Sequence, residues 1–152
     1  MNMRAISPVI ATVIIVSVAI AIAVAVAFWM TGITGLFTRY EKLEVINAYA
    51  TKDNDFTIYV YVRNTGTSDA TIDNIFINGK PPSDAGVNLI EETSAGTVFQ
   101  PTQQFQSVGL ATGGTATFTI ILDGTKYKSG QIVEVKLHTA SGNEYPKSVQ
   151  LP

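Results

Sequence analysis

Two rhythms of polar and apolar positions divide the chain. Between Ala5 and Thr38 there is no Asp, Glu, Lys, Arg or His, and from Val9 to Met30 the residues are almost wholly Val, Ile and Ala, closing on Phe28-Trp29-Met30. A helix over this run has no wet face, so it must be buried all round, in lipid or among other helices. The run is 34 residues long. As a helix it reaches roughly 50 Å, while a bilayer core needs only about 20 apolar residues. From Ala19 to Ala27 every second residue is Ala, separated by Ile and Val. That alternation does not argue for a strand, because both alternating classes are apolar.

From Leu43 the pattern changes to short alternating runs punctuated by turn residues. Phe56, Ile58, Val60 and Val62 share one face of a predicted strand, which places Tyr59 and Tyr61 on the other. Thr71–Ile77 is the next strand, and Asn78-Gly79 is a strong hairpin-turn pair. Leu43–Ala50 reads as a strand or as the tail of the helix. Val87–Ile90, the Gln-rich Thr97–Phe105, Thr115–Leu122, Gln131–Thr139 and Glu144–Leu151 complete a set of about seven or eight strands, with Ser141-Gly142-Asn143 as the last turn. No second helix is predicted. The fold class expected is α+β, a long N-terminal hydrophobic helix followed by an all-β, immunoglobulin-like sandwich head over residues 43–152.

Within the helix, Ser7 is a favoured N-cap and Pro8 suits the first helical position, so the pair reads as the helix start. Ala19, Ala23 and Ala27 stack at i, i+4, a spacing that lets helix backbones approach closely. With Ala11, Phe28 and Trp29 they are the candidate packing residues. Gly32 and Gly35 fall within one turn and mark a bend or a locally melted stretch. Trp29, Phe37 and Tyr40 form an interfacial aromatic belt with Arg39 and Lys42 at headgroup level, or else pack against the chain's own head.

Composition narrows the function. Only 14% of the 152 residues are charged, against roughly 25% in soluble domains, and the net charge is −2, which gives no footprint for nucleic acid. There is no cysteine, which excludes disulfide scaffolds and thiol chemistry. The apolar run is too long for the core of a secretory signal. His138 is the sole histidine and lies in a predicted strand, where a structural role outweighs a catalytic one. Asp53-Asn54-Asp55 reads as a turn rather than a cation site, and Glu91-Glu92 as a solvated loop. With no catalytic motif, no metal set and no cofactor motif, an enzyme is not expected. There is no Asn-X-Ser/Thr sequon.

The block Met3-Arg-Ala-Ile-Ser-Pro-Val-Ile-Ala-Thr-Val-Ile, a basic residue followed by Ala-Ile-Ser-Pro-Val at the head of a long apolar run, resembles the start of archaeal type IV pilins. The match covers roughly residues 3–30 and nothing beyond. The resemblance implies a short leader at 1–5, a filament-core and transmembrane helix at 6–42, and a pilin-like lollipop with its head at 43–152. It implies cleavage by a prepilin peptidase next to Arg4, at Ala5–Ile6 or, failing that, Arg4–Ala5. Bacterial type IV pilins carry a Glu five residues into the mature chain, where this chain has Ile10. The implied function is a structural subunit of an extracellular pilus used for adhesion. Its partners would be identical subunits in a helical homopolymer, the cytoplasmic membrane before assembly, and the pilus assembly machinery. The rivals are a minor pilin and a single-pass membrane-anchored β-sandwich binding module.

Overall fold

The computed structural model describes residues 3–37, 39–93, 97–100 and 105–152, and of residues 3–7, 36, 37 and 97 the backbone alone. The chain divides into two compact units, Met1–Arg39 and Tyr40–Pro152.

The first unit is helix α1, Met3–Phe37. It begins five residues before the expected start, so Pro8 lies inside it rather than at its first position. The reason is local. A proline six residues into a helix removes a single backbone bond, the one to the carbonyl of Arg4, and Met3, Arg4 and Ala5 ahead of it are good helix formers. α1 runs unbroken through Gly32 and Gly35 and ends at Phe37, so the chain is not melted at the glycines and the helix does not reach residue 42.

Among its described residues the second unit holds nine strands. β1 (Leu43–Lys52), β2 (Phe56–Asn64) and β3 (Ala70–Ile77) come first, then a one-turn helix α2 (Pro82–Ala85). β4 (Val87–Glu92), β5 (Thr97–Phe99), β6 (Val108–Leu110), β7 (Thr115–Leu122), β8 (Ile132–Thr139) and β9 (Glu144–Gln150) follow. Leu43–Ala50 is therefore strand, not helix tail. Among its described residues, the Gln-rich segment is a strand at Thr97–Phe99. Residues 101–104 of that prediction lie outside the described residues.

The strands form two sheets, ordered β1-β2-β7-β4-β5 and β6-β3-β8-β9, antiparallel throughout. Read along the chain, β1-β2-β7-β4 and β3-β8-β9 have the ABED and CFG arrangement of immunoglobulin constant domains, with β5 and β6 added at edges. The core between the sheets comes from strict alternation. Phe56, Ile58, Val60 and Val62 of β2 face Ile72, Ile75 and Ile77 of β3 and Val133, Val135 and Leu137 of β8, and all are buried. Phe118, Ile120 and Leu122 of β7 complete it, in place of the disulfide such sandwiches often carry.

Three local features depart from the sequence reading. Asn78 and Gly79 do make a tight turn, both at positive φ (52° and 74°), with reciprocal backbone bonds between Ile77 and Lys80 of 2.9 and 3.0 Å. No hairpin follows, because Pro81-Pro82 cannot donate to a ladder and the chain turns into α2 instead. α2 has Pro82 at its N-terminus and Gly86 in the left-handed conformation as its cap, a signature too short to show as periodicity. Glu91-Glu92 is not a loop. It ends β4, and alternation turns Glu92 inward, where it is buried.

Candidate assembly helix and outer faces of the head

α1 is apolar on every side. Fourteen large apolar side chains between Val9 and Met30 are about half or more exposed, among them Phe28 (76%), Trp29 (65%) and Met30 (62%). Its segment Pro8–Gly35 is long and apolar enough to cross a membrane. Its described hydroxyl side chains are already satisfied. Thr12 donates to the Val9 carbonyl at 2.8 Å, Ser17 to Val13 at 2.7 Å, Thr31 to Ala27 at 2.8 Å and Thr34 to Met30 at 2.7 Å. Each hydroxyl bonds one turn back, so the helix can enter a dry environment without stranding a donor.

Ala19, Ala23 and Ala27 follow one another at i, i+4 on α1, drifting about 40° around the axis per step, with Ala11 on a neighbouring stripe. Gly32 and Gly35 have open space where a Cβ would stand. The stripe and the two glycines thus leave low ground where another backbone can lie close. Arg4, Ala5, Ile6 and Ser7 have helical backbone, and their side chains are outside the described set, as is that of Phe37. Tyr40 belongs to the head. Its carbonyl accepts from Thr67 N at 3.0 Å, and its own N–H donates to the Thr67 hydroxyl at 3.1 Å.

Tyr59 and Tyr61 do lie on the outer face of the first sheet, and β1 adds Tyr49 beside them. Tyr49 and Tyr59 are register partners with ring centroids 5.1 Å apart, and Tyr49 and Tyr61 are stacked at 6.1 Å. The bond between the Tyr49 and Tyr61 hydroxyls (3.5 Å) pushes the Tyr49 phenol above its ordinary value, with desolvation adding to it.

On the outer face of the second sheet, His138 Nδ1 lies 2.6 Å from Asp73 Oδ1, and the Phe76 ring meets the imidazole edge-on at 6.2 Å. Sequence reasoning missed this pair because Asp73 is an irregular position. The register passes from Ile72↔Thr139 to Asn74↔His138, leaving Asp73 as the extra residue of a β-bulge that aims its carboxylate at the histidine. Asp55 is a structural turn residue, accepting from Gly124 N at 3.0 Å and from Asn88 Nδ2 at 3.2 Å. Among the described residues no group of His, Cys, Asp or Glu is placed to hold a metal ion.

Fold and surfaces together define a single apolar helix joined to an immunoglobulin-like sandwich. No family model and no curated protein matches the chain. Among solved structures it aligns over 95% of its length with 98% of the Iho670 flagellar-like filament chain, at 15% identity and a TM-score of 0.45. It also aligns over 74% of its length with 78% of a lipoprotein from Bacteroides thetaiotaomicron solved by NMR in solution, at 14% identity and a TM-score of 0.42. Likeness at these levels assigns no family, and the functional reading rests on the chain's own residues.

Proposed function

We propose that the chain is the structural subunit of an extracellular archaeal type IV pilus, held together by α1 and used for adhesion. The observation that carries this reading is a helix apolar on every side, its large apolar side chains exposed, with its described hydroxyls already bonded internally. Fully burying a Val, Ile or Phe side chain is worth about 1.5–3 kcal/mol. Fourteen such groups at half exposure or so leave roughly 10–25 kcal/mol per subunit to be gained by lateral packing, before the cost of ordering. A head-to-tail contact repeated without closing on itself produces a helical fibre.

The position of Pro8 supports removal of the leader. In the full chain its missing N–H interrupts the helical ladder. In a chain that starts at Ile6, Pro8 is the third residue, where backbone N–H groups have no helical partner in any case. The Arg4-Ala-Ile-Ser-Pro-Val block is the matching sequence feature. In this reading the precursor sits in the cytoplasmic membrane, a prepilin peptidase cuts beside Arg4, and the assembly machinery extracts the helix into the growing fibre. The chain is not an enzyme.

A second reading, a permanently anchored single-pass module, is favoured by one feature. Pro8–Gly35 also satisfies the demands of a simple membrane span. Ala23→Asp separates the two. A carboxylate at the middle of a span costs about 3 kcal/mol, which so apolar a helix tolerates, whereas in a dry bundle that cost recurs at every subunit. The expected result is normal membrane insertion with no fibres on electron micrographs of sheared cells, and wild-type fibres whose subunits begin at Ala5 or Ile6 by mass spectrometry. Fibres of normal yield from Ala23→Asp would refute the packing role of α1.

A further inference from the structure

The outer face of the second sheet carries a cavity of about 450 Å³, lined by Asp73, Asn74, Phe76, Phe105, Ser107 and His138. Its size falls within the roughly 300–1,000 Å³ usual for small-molecule sites. We propose that this cavity binds a neutral saccharide.

The walls supply the two surfaces a sugar presents. Phe76 stands edge-on to the imidazole, and Phe105 is stacked on buried Phe99 with centroids 4.4 Å apart, so both aromatic walls are held by packing rather than free to swing. Between them they offer apolar faces for the C–H side of a pyranose ring. The polar groups are held as firmly. Asp73 occupies its position because of the β-bulge, and its Oδ1 takes the Nδ1 side of His138 at 2.6 Å. That contact settles the histidine tautomer and leaves Nε2 as the ring's open nitrogen. Asn74 Oδ1 accepts from the Ile75 N–H at 2.9 Å, which holds the amide and leaves its two N–H donors. Asp73 Oδ2, His138 Nε2, Asn74 Nδ2 and the Ser107 hydroxyl are thus donors and acceptors in mixed supply, as vicinal hydroxyls require.

Charge excludes the competing classes. Among the described residues no Lys or Arg lines the cavity, so nothing there compensates a phosphate or carboxylate, and Asp73 Oδ1 is already engaged by His138. The polar lining is too rich for a lipid tail. A neutral, polyhydroxylated ring with one apolar side is the ligand left. This deepens the adhesive part of the reading above by giving it a ligand class, and the site lies wholly within the head, so it does not depend on fibre formation.

The test is saturation-transfer NMR on the full chain in detergent micelles, with methyl α-mannoside, methyl β-galactoside and N-acetylglucosamine as probes and sialyllactose as an anionic control. At least one neutral probe is expected to bind. Phe76→Ala and Asp73→Asn should each raise its Kd about tenfold or more, whereas Tyr61→Phe, on the opposite sheet, should leave it unchanged. Asp73→Asn keeps the shape of the side chain, so it decides the question should Phe76→Ala fail to fold by near-UV circular dichroism. The proposal is overturned if no neutral probe shows transfer, if transfer survives unchanged in Asp73→Asn, or if only sialyllactose binds. Micrographs of the same variants keep the readings apart, because fibres without saccharide binding refute the site alone.

Discussion

Asn64, the last residue of β2, is fully buried, and its side chain holds three segments at one end of the head. Its Nδ2 donates to the Ser68 carbonyl at 2.9 Å and to the Leu110 carbonyl at 3.0 Å, while Oδ1 accepts from Gly66 N at 2.9 Å. Asn64→Ala removes all three bonds. Gly66 N keeps a partner, because it also donates to the Lys42 carbonyl at 3.1 Å. The two carbonyls lose their donor from Asn64, the Leu110 bond at a buried site and the Ser68 bond where water can reach. A buried group left unpaired costs about 1–3 kcal/mol and a partly solvated one about 1, so the loss sums to about 2–4 kcal/mol. Unfolding entropy near 2.1 cal/mol/K per residue, over a head of roughly 110 residues, converts this to a drop in Tm of about 9–17 °C. The assay is thermal unfolding of the full chain in detergent micelles, followed by near-UV circular dichroism of the head tyrosines. Asn64→Asp keeps the acceptor but has no donor, so it should be at least as damaging as Asn64→Ala. A Tm within about 2 °C of wild type for both would refute the assignment of this side chain as the clamp.

Gly66→Ala would place a Cβ 2.5 Å from the Tyr40 carbonyl oxygen and 2.6 Å from Lys42 N, both backbone, so amide exchange at Thr65 and Thr67 should accelerate as the Tyr40–Lys42 segment lifts away. Tyr127 donates to the Ala85 carbonyl, and burial pushes its phenol above the ordinary value of 10.0. That contribution to stability is fully present below about pH 10 and is lost as pH rises through the raised value in the fold. Tyr127→Phe should therefore cost about 1 kcal/mol at neutral pH in a urea titration and should flatten the alkaline limb of the stability profile. Gly32→Ala meets open space inside α1, so it should stabilise the helix by about 1 kcal/mol and slow amide exchange at that turn in micelles.

What the sequence by itself determined follows from one-dimensional physics. An uncharged run of this length admits one element, because no other structure satisfies its backbone without water. Alternation in β2, β7 and β8 decided both the strands and their buried faces, since a slip of one residue would turn the whole apolar set outward. Asn78-Gly79 announced its turn through the positive φ it requires. Tertiary structure decided the rest. The helix start moved because one lost bond at Pro8 is outweighed by helical turns on both sides. Glu92 went inward because its strand continued two residues past Ile90, its last apolar position, and so returned to the buried face. The pairing of β3 with β8, strands separated by more than fifty residues, could not be read from either, and only that pairing creates the bulge that sets Asp73 against His138. Local patterns record which face of an element is dry, whereas which elements share a face is settled only when the two sheets close over the core.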